Sequence, residues 1–456
     1  MPHILIVGAG QSGLQLGLNL LAAGMDVTIM SARTPEEIRG GSPTSTQCMF
    51  QPALQIERDL GLNFWEEQCP KLTAQRYNLG LPPDGYPDAR QTGGEAAPPW
   101  LRTEVAPFTR AIRFTGPWEH YTQSVDQRIK MSSWLAEFEN RGGTVIYQGV
   151  MTSDLDSLTA LGRYDLTIVA AGKGELVGLF DRDASRSPYD RPQRALSAIY
   201  TRGMTFDPEY QDWAVSFANI AGVGEFFNMP GLTVDGDGMQ PCNILLFAGF
   251  PEGPLGFHAW RDRLSPTEHL DRMVRAMREY VPWEADLAAD IEVTDAHPSL
   301  IGGYTPTVRH PVGHLPSGGL VLGMGDVVVA NDPITGQGAN NAAHSAHIYA
   351  RHIIDNADGR YDEAWMQATF DDYWNYAKHP TVFTNAMLAH EPPEHVGRIL
   401  AAAQAGHDAG EPVIAARIAY GYTTPSDLGW MLDPDETNKY LAEVAPEFAT
   451  PAPATP

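Results

Sequence analysis

His3-Ile4-Leu5-Ile6-Val7 runs directly into Gly8-Ala9-Gly10-Gln11-Ser12-Gly13, and the reading of this stretch decides the fold. The apolar run is short and ends at glycine, as a buried strand does. Helical periodicity follows from Gly13 to Ala23, with Leu14, Leu18 and Leu21 on one face, and Gly24 stops it. Asp26 to Met30 (DVTIM) is a second strand, so the chain opens with a β-α-β unit. Between its first strand and its helix stands G-x-G-x-x-G. That pattern is weak alone but carries weight in this context. Gly8 allows the tight turn, Gly10 lets a pyrophosphate approach the backbone, and Gly13 lets the helix pack close to the strand. The helix start offers free N–H groups and a positive dipole end to phosphates. The choice of dinucleotide stays open at this point. The second strand ends in Met30-Ser31-Ala32-Arg33, without the carboxylate that would take a ribose, and Arg33 suits a phosphate.

The rest of the chain extends this beginning. Residues 124–141 read as a helix stopped by Gly142-Gly143, and 144–150 and 165–171 as further strands. Residues 80–117 are rich in Pro and Gly, lose their periodicity and are expected to be an irregular excursion. From about 195 to 300 the runs ALSAIYTRG, WAVSFANI and CNILLFAGF predict an antiparallel or mixed sheet. A buried strand at 320–325, a helix from about 337 to 355 and helices across 362–445 follow. The tail from Thr450, TPAPATP, is low-complexity and expected to be disordered.

Bulk properties narrow the function. Of 456 residues 43% are hydrophobic and 19% charged, enough for a sizeable core in two to four domains. A formal net charge of −25 argues against a nucleic-acid partner and against an anionic membrane surface. No apolar run approaches a membrane span. Cys48, Cys69 and Cys242 form no metal motif and read as free thiols in a reducing cytoplasm. No metal is expected. His390-Glu391-Pro392-Pro393-Glu394-His395 has the wrong histidine spacing for a zinc helix, and its prolines break one. His344, His347 and His352 do not share one helix face, and Ser12 does not stand in G-x-S-x-G.

A second motif answers the cofactor question. In Leu322-to-Asn341, LGMGDVVVANDPITGQGANN, a buried strand ends at Gly325-Asp326, and a loop through Pro333 and Gly336 reaches Gln337-Gly338, where a helix begins. An acid after a strand can bind a sugar hydroxyl. A second helix start can set N–H groups against an electron-rich flavin ring and stabilise its reduced, anionic form. The pairing resembles the FAD-dependent aromatic hydroxylases. With VDQR at 125–128, RPQRAL at 191–196, GGYTP at 302–306 and DPITGQGANNAA at 332–343, the chain looks like the oxygenase component of styrene/indole monooxygenases, from residue 1 to about 445. Flavin-dependent halogenases share the fold, but their W-x-W-x-I-P segment is absent.

The resemblance implies an α/β protein: a Rossmann-type FAD-binding domain (1–80, 118–194, 300–360), an interleaved mixed β-sheet substrate domain (81–117, 195–299), C-terminal helices (361–445) and a disordered tail (446–456). It implies FAD supplied in reduced form by a separate, transient NAD(P)H-dependent flavin reductase. Oxygen is then delivered through a C4a-(hydro)peroxyflavin to an electron-rich C=C bond of a small aromatic substrate. Ala170-Ala171-Gly172-Lys173 lacks the Asp that single-component aromatic hydroxylases carry there, which favours this scheme. Cofactor-binding positions are then Gly8, Gly10, Gln11, Ser12, Gly13, Arg33, Arg128, Asp326, Pro333, Gly336, Gln337 and Gly338. Ser45-Thr46-Gln47-Cys48-Met49 resembles the indole-type Ser-x-Gln-x-Met and lacks the His of the styrene-type Asn-x-Val-x-His. Gln47 can hydrogen-bond a heteroaromatic N–H, and Met49 offers an adaptable wall to a flat ring. No residue is needed as acid or base. Substrate positioning falls to Ser45, Gln47, Met49, Pro333, Ile334, Thr335, Asn385 and Met387. The expected activity is epoxidation of indole or a related aromatic alkene, with sulfoxidation, another heteroaromatic acceptor and a non-catalytic FAD-binding protein as alternatives. A homodimer stays open.

Overall fold

The computed structural model describes residues 2–86, 95–102, 106–208, 213–389 and 392–449. The chain divides into two compact units, the first made of residues 1–66, 125–191 and 305–385, the second of 67–124, 192–304 and 386–456.

The first unit is built on β1 (His3–Val7), α1 (Gln11–Ala22), β2 (Asp26–Ser31), α2 (Gln51–Asp59), α3 (Gln127–Asn140), β3 (Thr144–Tyr147), β4 (Leu166–Val169), β5 (Val312–His314), β6 (Leu320–Gly323), α4 (Gly338–Asp355) and α5 (Glu363–Met387). Its six-stranded sheet runs β5-β6-β4-β1-β2-β3. All neighbours are parallel except the β5–β6 pair. Parallel strands are covered on both faces, which is why Ile4, Leu5 and Ile6 of β1 and Ile168 of β4 are all fully buried.

The second unit carries an eight-stranded sheet in the order Glu292–Val293, Ala195–Arg202, Gly238–Gly249, Gly224–Asp235, Ala214–Ile220, Leu72–Leu81 and Thr109–Thr122, with Ser299–Gly302 also pairing Ala195–Arg202. It is antiparallel apart from the parallel pair Leu72–Leu81 with Ala214–Ile220. The helix Pro266–Tyr280 begins with a Ser265/Glu268 capping box and lays Met273, Met277 and Tyr280 in a core with Phe226, Leu245 and Phe247. Helices Glu394–Asp408 and Val413–Thr423 pack on the edge strand Thr109–Thr122, where Trp118 Nε1 donates to the Ala419 carbonyl at 2.9 Å.

Three expectations need correction. Residues 80–117 are not wholly irregular, since strand Leu72–Leu81 enters the stretch and Thr109–Thr122 leaves it. Pro117 hid the second strand, but an edge strand tolerates proline, and register shifts at Leu72/Ala74 and Leu79/Gly80 break the alternation. Residues 67–80 and 118–124 lie in the second unit because Leu72–Leu81 pairs with strands there, and helices 361–445 are shared between the units rather than forming a third. Residues 446–449 are tied down, with Arg398 Nη1 donating to the Phe448 and Ala449 carbonyls at 3.0 and 2.7 Å. The remainder of the expected disordered tail, 450–456, lies outside the described residues. No helix among those residues is long and apolar enough to cross a membrane.

Candidate functional site

The turn after β1 is shaped by what its glycines touch. Gly8 has φ +120°, a conformation that L side chains rarely adopt, and a Cβ there would lie 2.9 Å from the Ala170 backbone. A Cβ at Gly13 would lie 2.1 Å from the Gly8 carbonyl oxygen, so α1 and the turn can approach only without it. Gly10 is different, since nothing stands within 4 Å of its missing Cβ. It is the N-cap of α1, makes no side-chain cap and is followed by no acidic residue in the first turn. The first N–H groups of α1 therefore have no side-chain cap.

Two further segments close on this turn. A Cβ at Gly325 would lie 2.7 Å from Ser12 Oγ, and one at Gly172 would lie 2.7 Å from Asp326 Cβ. Residues 8–13, 170–173 and 325–326 thus meet in one place. The Asp326 carboxylate is reachable by solvent yet hemmed in by protein, as a group on the wall of a concave seat is. That loss of water pushes its pKa up to about 6, against the lowering pull of Lys173 and Arg309.

The second helix start lies beside the first. Gln15 Nε2, in the second turn of α1, donates to the Ala343 carbonyl in the second turn of α4 at 3.4 Å. Each N-terminus is about one 5.4 Å turn from that contact. The loop before α4 is held from both sides. Asp332 accepts from Ile334 N at 3.1 Å, Thr335 and Thr384 hydroxyls meet at 2.6 Å, and Thr381 Oγ1 donates to Asn331 at 3.2 Å. Asn340 donates to the carbonyls of Gly336 and Cys48 at 2.9 and 2.8 Å and accepts from Phe50 N at 2.9 Å, joining the loop to residues 48–50. Gly338, like Gly10, has nothing within 4 Å of a Cβ position.

The remaining residues singled out in the sequence fall as follows. Ser12 and Gln337 are buried, and Gly336 and Pro333 are half-buried. The Gln11 side chain does not face the open space. It turns inward to Gln15 and Glu57, leaving only its backbone N–H at the helix start. Arg33 is exposed. Arg128 is buried, ion-paired with Asp126 at 2.8 Å and donating to the Gly41 carbonyl at 3.3 Å, so its guanidinium is engaged inside the protein. Ser45 is half-buried and its Oγ donates to the Thr46 carbonyl at 2.9 Å. Gln47 (3% exposed) and Met49 (1%) lie inside the protein, and Gln47 Nε2 donates to the Val125 carbonyl. Ile334 and Thr335 are buried, while Asn385 is half-buried and its carbonyl accepts from Tyr189 OH at 3.0 Å. Met387 falls in the second unit. Asn340, Thr384 and Lys173 were not anticipated. Asn340 had one signal, a polar residue on the buried side of a predicted helix. Cys48, Cys69 and Cys242 are all buried. His390 and Glu391 lie outside the described residues, and His395 Nε2 pairs with the Met431 carbonyl at 3.1 Å. Among the described residues no group of three His, Cys, Asp or Glu is placed to hold a metal.

A parallel sheet with two uncapped, glycine-opened helix starts side by side, and an acid at the end of an adjacent strand, defines a dinucleotide-binding flavoprotein. The donor set fits FAD: free N–H groups for a pyrophosphate, a carboxylate for a hydroxyl, and bare glycines where a Cβ would intrude on the space. Residues 172–286 match the family described as "Styrene monooxygenase A putative substrate binding domain". Styrene monooxygenase StyA of Pseudomonas fluorescens is 29% identical over 395 residues, 85% of this chain and 86% of that protein. Among solved structures, a flavoprotein/dehydrogenase from Cytophaga hutchinsonii has the same fold at TM-score 0.61 and 13% identity, covering 97% of this chain and 98% of its own. The myxobacterial chondrochloren halogenase CndH has it at TM-score 0.59 and 13% identity, covering 94% and 96%. The chain is similar to styrene monooxygenases over most of its length, and it is a flavin-dependent monooxygenase with FAD as its cofactor.

Proposed function

We propose that this chain is the oxygenase of a two-component system, receiving reduced FAD from a separate NAD(P)H-dependent flavin reductase and oxidising the 2,3-bond of indole or a related aromatic alkene. The observation that carries the reading is the pair of open helix starts at Gly10 and Gly338 beside Asp326. In this reading the N–H groups after Gly8 and Gly10 hold the pyrophosphate, and Asp326 takes a sugar or ribityl hydroxyl. The N–H groups at the start of α4 face the isoalloxazine and favour its reduced, anionic form. Bound in reduced form, FAD supplies the electrons that activate dioxygen for transfer of one oxygen atom.

The protein needs no acid–base pair, because the alkene itself is the nucleophile. Its work is to orient the ring and keep water out. The Thr335–Thr384 and Asn331–Thr381 bonds fix the loop Pro333–Thr335 in one position against α5, which suits that task. The segment 45–49 lacks histidine and is bonded to that loop through Asn340, which supports a role in choosing the acceptor and favours the indole type. Styrene is the second reading, because the relatives carry its name.

The test mixes purified protein with separately reduced FAD, dioxygen and, in parallel, indole, styrene and thioanisole. Indigo from indole is the expected result. Product from styrene or thioanisole with none from indole rejects the indole reading, and no product with FAD still bound rejects oxygenation. NADPH alone is expected to leave the bound flavin oxidised, and rapid bleaching by NADPH overturns the two-component scheme.

A further inference from the structure

A buried ion pair lies directly behind the start of α1. Glu57 on α2 and Lys130 on α3 meet at 2.6 Å, with side chains 0% and 1% exposed. Glu57 Oε1 also accepts from Gln11 Nε2 at 3.0 Å, and Gln11 donates to Gln15 Oε1 at 2.9 Å. Lys130 Nζ stands 5.1 Å from the Trp134 ring and 5.9 Å from the Trp65 ring, so the charge is closed in by indoles. Taking two charges out of water is costly, and apolar replacements of such pairs are often neutral or stabilising. Stability alone is therefore a poor account of this one.

Its neighbour offers a better account. The first turn of a helix is usually fixed by a capping side chain and favoured by an acid. α1 has neither. Either device would occupy the free N–H groups or set a negative charge where an anion has to sit. The side chain of Gln11, the first residue of α1, is what ties this turn down, and it does so from the inner side, through Glu57. A bare carboxylate at that place would offset the positive helix end and repel an anion bound to it. Lys130 cancels that charge.

We infer that the Glu57–Lys130 pair is a positioning device for the cofactor. Glu57 anchors the first turn of α1 through Gln11, and Lys130 keeps the anchor electrically silent beneath the pyrophosphate seat. This rests on the placement of the pyrophosphate at Gly10 proposed above. The two residues act through Gln11 and touch no substrate.

The experiment titrates oxidised FAD into the full-length protein freed of flavin, reads flavin fluorescence, and records the melting temperature without FAD. Gln11→Met breaks the anchor, leaves both charges paired and is expected to weaken FAD binding about 10-fold with little change in melting. Lys130→Met leaves the buried carboxylate unpaired and is expected to weaken it more, about 30-fold or beyond. The double variant Glu57→Gln/Lys130→Met keeps a hydrogen-bonding partner for Gln11 without the charge, and is expected to recover to within about 3-fold of the natural protein. Should Lys130→Met fail to fold, Gln11→Met and the double variant still decide the matter. Lower melting temperatures with unchanged FAD affinity of the folded protein overturn the inference. Gly10→Val is the control for the seat. If it abolishes binding while Gln11→Met and Lys130→Met do not weaken it, only the positioning role is lost. If it leaves binding intact, the placement of the pyrophosphate fails and the inference with it.

Discussion

In the first unit Gly10 and Gly338 stand at helix starts with nothing within 4 Å of a Cβ position, whereas in the second unit Gly116 and Gly256 are pressed against backbone. A Cβ at Gly116 would lie 2.2 Å from the Ala415 carbonyl oxygen, and one at Gly256 would lie 2.0 Å from that of Pro251. The same residue keeps a surface bare in one place and lets two backbones touch in the other. Asp326 in the first unit keeps a solvent-reachable carboxylate. The second unit closes its buried polar groups on one another: Arg194 grips Glu225 with two bonds of 2.7 and 2.8 Å, and Glu284 accepts from Ser216 and Asn228 at 2.5 and 3.1 Å. Bare glycine and an accessible acid together mark a place prepared for a ligand. At Gly116 and Gly256 the glycine serves the packing of the chain itself.

That contrast can be broken at either end. The largest effect is expected from Gly116→Val, whose side chain has to displace the Ala415 backbone. Urea unfolding should show a loss of about 3 kcal/mol or more, and a loss under 1 kcal/mol refutes the close approach. Next comes His269, fully buried between Ser197 Oγ at 2.7 Å and Ser299 Oγ at 2.8 Å. Burial, and secondarily Arg272, pushes its pKa down to about 4. The unfolded chain binds a proton near pH 6.5 that the folded chain refuses. The contribution is therefore complete above about pH 6.5, declines as pH falls towards about 4 and is then constant, a change of roughly 3 kcal/mol. Urea midpoints measured across that window should carry the slope, and His269→Gln should flatten it.

Gly10→Val should do the reverse of Gly116→Val. Melting should stay close to the natural value while FAD affinity falls about 100-fold or more, near 2.7 kcal/mol. A variant that melts early but binds FAD normally would place Gly10 with the packed glycines. The smallest change is expected from Asp326→Asn, which keeps the shape and removes the charge. FAD should bind about 10-fold more weakly in the same fluorescence titration, the scale of one charge-assisted hydrogen bond. Unchanged binding would remove Asp326 from the seat.

Much of the first unit was legible because its signals are local. The apolar runs of β1 and β4, the helix periods of α1 and α4 and the glycines at both helix starts each lie within a few residues of what they specify. The second unit was read less well. Thr109–Thr122 carries Gly116-Pro117 in its middle, and only its position at the sheet edge explains how a strand accommodates them. The site divides in the same way. Gly8, Gly10 and Asp326 stand where their motifs put them, but the motif could not say that the Gln11 side chain turns away from the open space.

The amino-acid order alone determined the β-α-β opening, the two glycine-opened helix starts and the acid after β6, because backbone geometry and the 3.6-residue and two-residue periods act over short spans. Folding in three dimensions decided that Gln15 meets Ala343, that Asn340 joins Cys48, that Glu57 and Lys130 meet behind Gln11, and that Leu72–Leu81 pairs with Ala214–Ile220. Those partners are far apart along the chain, and which of many compatible polar or apolar partners a side chain finds is set by packing of the whole unit, which no local pattern encodes.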